Sequence, residues 1–84
     1  MPDPVLIVEV LSDSTTAQDR SIKRVEYAGL PSLRRYVMLA SDDRLAPVCA
    51  RDDGFIERRV RDALDLPEFG LTIPLATLYD GLLP

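Results

Sequence analysis

Hydrophobic positions open the chain as Val5-Leu6-Ile7-Val8-Glu9-Val10-Leu11, a continuous apolar run broken by one carboxylate. It is rich in β-branched residues and bounded by Pro4 and by Ser12-Asp13-Ser14. That pattern predicts a strand buried on both faces, as in the centre of an α/β sheet. Ser14, Thr15 and Thr16 then offer helix caps, Thr15 and Gln18 have capping-box spacing, and Gly29 supplies a stop. A helix is therefore expected over residues 16–28. Ile22, Val25, Ala28 and Gly29 form one stripe suited to packing on a sheet, and Asp19 with Lys23 makes an i,i+4 ion pair in the favourable order.

After the connection Pro31-Ser32-Leu33, residues 35–40 read as a second strand. Strand, helix and strand joined by short connections make a crossover that is most often parallel and right-handed. Ser41-Asp42-Asp43 turns the chain into a strand over residues 44–50, where Pro47 argues for a sheet edge because it cannot donate to a ladder. Asp52-Asp53-Gly54 makes a hairpin turn into residues 55–60. Short strand-like pieces follow at 63–66 and 71–73, and Pro74 opens a last helical turn over 75–79. The expected fold is α/β: a mixed β-sheet with a strand-helix-strand crossover followed by a β-hairpin.

Composition narrows the function classes. With 84 residues there is room for one small domain, expected to span residues 1–84. A net charge of −4 with 46% hydrophobic residues is globular rather than disordered. Having no histidine excludes a Ser/His/Asp triad, a Cys/His pair and His-ligated zinc, and the one cysteine, Cys49, excludes an internal disulfide framework. No apolar run approaches the ~20 residues of a spanning helix and the start lacks the positive charge of a signal peptide, so no membrane and a cytoplasmic location are expected. Residues 31–63 carry seven basic and six acidic groups, the one basic stretch. Its Arg58, Arg59 and Arg61 are a candidate patch, but Glu57 and Asp62 interleave them as on a solvated face, and the acidic whole offers no strong nucleic-acid footprint.

Glu9 carries the most information. A carboxylate between Val8 and Val10 inside a sheet loses hydration, and an unpaired buried charge costs several kcal/mol. The remedies are a nearby cation, protonation through a raised pKa, or a bound metal. Lys23, on the helix that follows, can supply the first. Two readings stay open: a crevice shared by Glu9 and Lys23 at the strand ends where α/β proteins gather binding groups, or a purely structural ion pair on an edge strand.

The run 8–15, the Asp19-Arg20-Ser21-Ile22-Lys23 segment with Tyr27, residues 31–37, Asp52-Asp53-Gly54 and the closing 71–81 together resemble the Uma-two family of restriction endonucleases, within the PD-(D/E)XK nuclease superfamily. The resemblance implies a restriction-endonuclease-like core, with Glu9 as the acidic metal ligand of the central strand, the Val10 main-chain carbonyl as an accessory ligand, and Lys23 as the helix-borne catalytic lysine. It further implies Mg²⁺, with Mn²⁺ as a substitute, and DNA as partner, for hydrolysis of phosphodiester bonds. Family members carry a Pro-Asp strand upstream whose aspartate is the second ligand. This chain begins almost at the glutamate strand, so the resemblance is read as covering only the family's C-terminal half, a truncated core. Asp3 is six residues from Glu9, ~20 Å along an extended strand, and is too far to share an ion. Asp13, four residues away, is a weaker stand-in, better read as a turn residue.

The leading expectation is thus a metal-dependent endonuclease with Glu9 and Lys23 as catalytic residues, inactive alone for want of the upstream aspartate. The alternative is a non-catalytic oligomerisation or interaction module derived from the same fold. Losing a neighbouring strand leaves apolar surface uncovered, so a homo-oligomer or a complex with a separate N-terminal half is expected. Cys49, Tyr27 and Tyr79 are read as packing residues.

Overall fold

The computed structural model describes residues 3–12 and 17–80. Leu6–Val10 (β1), Arg35–Leu39 (β2), Ala46–Ala50 (β3) and Glu57–Val60 (β4) form a four-stranded sheet in the order β1-β2-β3-β4, and the helix Ala17–Ala28 (α1) links β1 to β2. Strands β1 and β2 run parallel, as a helical crossover requires, and the other neighbours are antiparallel. Ala63–Leu66 (β5) and Leu71–Pro74 (β6) pair as a separate hairpin that leads into one helical turn, Leu75–Leu78 (α2). The mixed α/β sheet with a crossover helix and a hairpin is as expected, and the tail elements begin where Pro74 and the short apolar pieces placed them. The caps at Ser14, Thr15 and Thr16 lie outside the described residues. Among the described residues no helix is long and apolar enough to cross a membrane.

Three local expectations are corrected. The first strand is not central: β1 lies at the sheet edge, with Val8 48% and Val10 67% exposed. Its apolar run reads as doubly buried, yet among the described residues only β2 pairs with it, and the second hairpin covers the middle of the sheet rather than its β1 side. Pro47 is not on an edge either, because β3 runs between β2 and β4 and is buried throughout. The β2–β3 pairing stops at Val37↔Val48, one residue before Pro47, so the missing donor falls where that ladder ends. Finally, Ile22 and Val25 do not pack on the sheet. They are 50% and 70% exposed, while Ala28 of the expected stripe makes the contact, together with Tyr27.

Alternation along β2 divides the core into two layers. Val37 and Leu39 face the second hairpin, packing with Ala46, Val48, Leu64, Leu66, Leu75 and Tyr79. Tyr36 and Met38 face α1, packing with Leu33, Cys49 and Phe55 and with the half-buried Ile7, Leu11 and Tyr27. Arg51 ties the hairpin turn to the end of the helix. Its guanidinium donates to Leu33 O at 2.6 Å, Leu30 O at 2.6 Å and Ala28 O at 3.2 Å, and lies 5.0 Å from the Phe55 ring centroid. These carbonyls include the unsatisfied C-terminal acceptors that every helix leaves, so the cation both caps α1 and sets its position over the sheet. The turn itself needs two left-handed residues, Gly54 at φ 69° and Phe55 at φ 60°. Phe55 is held there by its N–H to Ala50 O at 2.9 Å and by burial of its ring.

Tyr79 fastens the tail to the main sheet, its hydroxyl donating to Ala40 O at 2.7 Å or Leu45 O at 3.0 Å while its ring is buried. Tyr79→Phe keeps the ring but leaves buried carbonyl acceptors without this donor. It is expected to lower unfolding stability by about 1–3 kcal/mol, measured by urea denaturation, with an unchanged far-UV spectrum.

Candidate functional site

On β1 the odd positions point toward α1, so Glu9 stands on the same face as Ile7 and Leu11, while Val8 and Val10 point the other way. On α1, Lys23 and Tyr27 are one turn apart and therefore on one side of the helix. The parallel register sets Ile7 beside Tyr36 and Glu9 beside Met38. These three elements bring one carboxylate, one ammonium and two phenols together. Lys23 Nζ lies 2.8 Å from Glu9 Oε1, and the Tyr27 hydroxyl donates to the same oxygen at 3.4 Å. The Tyr36 hydroxyl donates to Oε2 at 2.6 Å. The two tyrosine rings meet edge to face with centroids 4.8 Å apart.

The electrostatics follow from this arrangement. Burial pushes the Glu9 carboxyl up, but the Lys23 ammonium and the Tyr36 and Tyr27 hydroxyls together outweigh it and hold the group below its ordinary value. Glu9 in turn holds the Lys23 ammonium above its ordinary range. Burial, and then the neighbouring carboxylate, push both tyrosine hydroxyls up, so each remains a donor. At neutral pH the cluster is an ionised pair with both carboxylate oxygens engaged.

A divalent metal ion does not fit this arrangement. Mg²⁺ demands near-octahedral oxygen ligation, usually with one or two carboxylates turned toward it. Here the cationic position beside Oε1 belongs to Lys23, and Oε2 accepts from Tyr36. Among the described residues no group of three or more His, Cys, Asp or Glu side chains is placed to hold a metal. The group the resemblance offers at Val10 is its main-chain carbonyl, which strand alternation turns to the edge of β1 away from β2. Asp3 is exposed before β1, and Asp13 lies outside the described residues. A cleft of about 340 Å³ opens at the carboxyl ends of β1 and β2, lined among others by Leu11, Arg20, Asp42 and Arg59, and Glu9 is not part of its wall.

The basic stretch does not form a free patch. Arg58 pairs with Asp53 and Arg61 with Asp43, which leaves Arg59 at the cleft. Cys49 is buried and burial pushes its thiol up to about 11, so it packs as a small apolar group. The residues that the sequence reading missed at Glu9 are the two tyrosines. Tyr27 had a visible signal, four positions after Lys23 on the same helix face. Tyr36 had none, because only the β1–β2 register sets it beside the carboxylate.

Comparison with known proteins places this geometry in context. The sequence matches the family described as "Uma2: Putative restriction endonuclease" over residues 1–78. An uncharacterized protein of Synechocystis sp. is 36% identical over 83 residues, which cover 94% of this chain and 44% of that relative. The chain therefore spans less than half the length of the curated relative it matches. No solved structure matches it. The expectation that the resemblance is confined to the family's C-terminal half is corrected, since the match runs through nearly the full chain. That expectation rested on the Pro-Asp strand and the elements upstream of it that family members carry, whereas the match itself spans residues 1–78.

A carboxyl held below its unfolded value lends stability above that value and loses it as pH falls through the folded one. For Glu9 the loss begins as pH drops below the ordinary 4.5. The raised Lys23 mirrors it, with stability lost as pH rises above the ordinary 10.5. Denaturant midpoints across pH are expected to fall at both ends, and Glu9→Gln is expected to flatten both limbs. The acid limb persists in part because Asp43, Asp53 and Glu68 are also held low by arginine partners. Tyr36→Phe, which strips a buried donor from an ionised acceptor, is expected to cost about 1.5–3 kcal/mol in the same assay at neutral pH.

Proposed function

This chain belongs to the Uma2 family, and from that premise we propose that it acts as a non-catalytic oligomerisation or interaction module derived from the restriction-endonuclease-like fold. The observation that carries the reading is the state of Glu9. A hydrolytic metal site needs a carboxylate free to face the cation, and this one is spent on Lys23, Tyr36 and Tyr27. In that role the cluster is structural: it fastens α1 to β1 and β2. The interaction side of the proposal draws on the edge of β1 with which no described strand pairs, and on the exposed Val8 and Val10.

A second reading is favoured by the family's description and by the 2.8 Å approach of Lys23 to Glu9. It is metal-dependent hydrolysis of DNA phosphodiester bonds, with Glu9 and Lys23 as the catalytic residues and Glu9 and the Val10 carbonyl as ligands for Mg²⁺ or Mn²⁺. One experiment separates the two. Isothermal titration of Mg²⁺ and Mn²⁺ into the protein and into Glu9→Gln, with a plasmid-nicking assay alongside, is expected to give no saturable heat and no nicking from either. Saturable binding that Glu9→Gln abolishes, together with metal-dependent nicking, would establish the nuclease reading in its place.

A further inference from the structure

We propose that the cleft at the carboxyl ends of β1 and β2 binds a small oxyanion, a single phosphoryl group carried on a compact molecule, and that Arg20 and Arg59 hold it. The proposal does not depend on the state of Glu9, which is not part of the cleft wall.

Topology makes the cleft. Strands β1 and β2 are parallel and joined by α1, so their carboxyl ends and the first turn of the helix meet at one end of the sheet, where open α/β sheets leave a crevice. The β3–β4 register then brings in Arg59. Cys49 belongs to the core layer on the α1 side and sits opposite Glu57, and Pro47, two positions away, shares that face and sits opposite Arg59. Alternation therefore turns Arg59 toward α1 and its neighbours Arg58 and Val60 to the other face. Arg20 enters from α1. Between the two guanidinium groups, Leu11, Ala40, Leu45 and Pro47 supply an apolar lining, in a volume of about 340 Å³. That is the size at which pockets for small ligands begin.

Neither cation is fully engaged. Arg59 makes no ion pair among the described residues, whereas Arg58 and Arg61 on either side of it are held by Asp53 and Asp43. The Arg20 side chain is only 25% exposed, yet its ion pair with Glu57 Oε1 is 3.9 Å long, beyond hydrogen-bond distance. Glu57 thus leaves the N–H donors of a largely covered guanidinium unsatisfied. A planar fork of such donors matches an oxyanion, which accepts two parallel bonds from it.

The rest of the wall selects the size of the ligand. A polyanion is held by a track of cations, and here two arginines converge on one cleft with the Asp42 carboxylate beside them. With the neighbouring arginines neutralised and a net charge of −4 on the chain, a second phosphate meets repulsion rather than a partner. One phosphoryl group on a small hydroxylated body satisfies the arginines and gives Ser41 and Asp42 hydroxyls to bond.

Titration calorimetry at low ionic strength, in buffer stripped of divalent metal, tests this with inorganic phosphate, glycerol phosphate and a short single-stranded DNA as probes. Both small probes are expected to bind saturably. Arg20→Ala and Arg59→Ala are each expected to weaken them about tenfold or more, with a retained far-UV spectrum, while Arg58→Ala leaves them unchanged. Amide shifts of the native chain give a reading that needs no variant: phosphate is expected to move Ser41 and Asp42 and to leave the Asp52–Asp53 turn in place. No saturable binding of either small probe overturns the proposal. So does binding that neither Arg20→Ala nor Arg59→Ala weakens, or that leaves the Ser41 and Asp42 amides unmoved. DNA binding tighter than both small probes and weakened by Arg58→Ala overturns it as well, in favour of a nucleic-acid track.

Discussion

A carboxylate within an apolar strand has to be neutralised by its surroundings, and the way Glu9 meets that demand organises one whole layer of this fold. Its two oxygens accept from an ammonium on α1, a phenol on α1 and a phenol on β2. Three elements are thereby pinned at one point. Removing any donor leaves charge less well compensated in a setting where water only partly replaces it. The network also explains why the helix sits as it does. At 3.6 residues per turn, Arg20, Lys23, Arg24, Tyr27 and Ala28 share one side, and Ile22 and Val25 come up on the other. Turning Lys23 and Tyr27 inward therefore turns the aliphatic pair outward.

The opposite layer follows a different logic. There the cover for β2 and β3 is the tail, whose β5–β6 hairpin and α2 bury Leu64, Leu66, Leu75 and Tyr79 against Val37 and Val48. The ion pair Arg35–Glu68, at 3.0 Å, and the Tyr79 hydroxyl fasten that cover at two places. Cover is thick over the middle of the sheet and thin over β1, the strand that carries Glu9 and that among the described residues pairs only with β2. Glu9 and the exposed Val8 and Val10 thus share one five-residue element, Glu9 turned toward α1 and the two valines toward the other face of the sheet.

Membership of the Uma2 family and a carboxylate engaged on both oxygens are reconciled by separating fold from site. Glu9 on β1 and Lys23 on α1 lie 2.8 Å apart, and what they make in this chain is an ion pair braced by two tyrosines. That pair ties α1 to β1 and so braces the crossover.

Much of this was determined by local sequence. The crossover, the hairpin at Asp52-Asp53-Gly54 and the tail elements after Ala63 follow from periodicity, turn residues and Pro74, all of which act within a few positions of the backbone. The need of Glu9 for a cation, and the availability of Lys23, were equally legible, because desolvation and helix placement are properties of the segments themselves. Only the tertiary structure decided that β1 is an edge, that Pro47 falls at the end of a ladder inside the sheet, that Tyr36 reaches the carboxylate, and which side of α1 is turned in. Each of these depends on strand order and register. Those are settled by the summed packing of distant segments, and no single stretch of the chain encodes them.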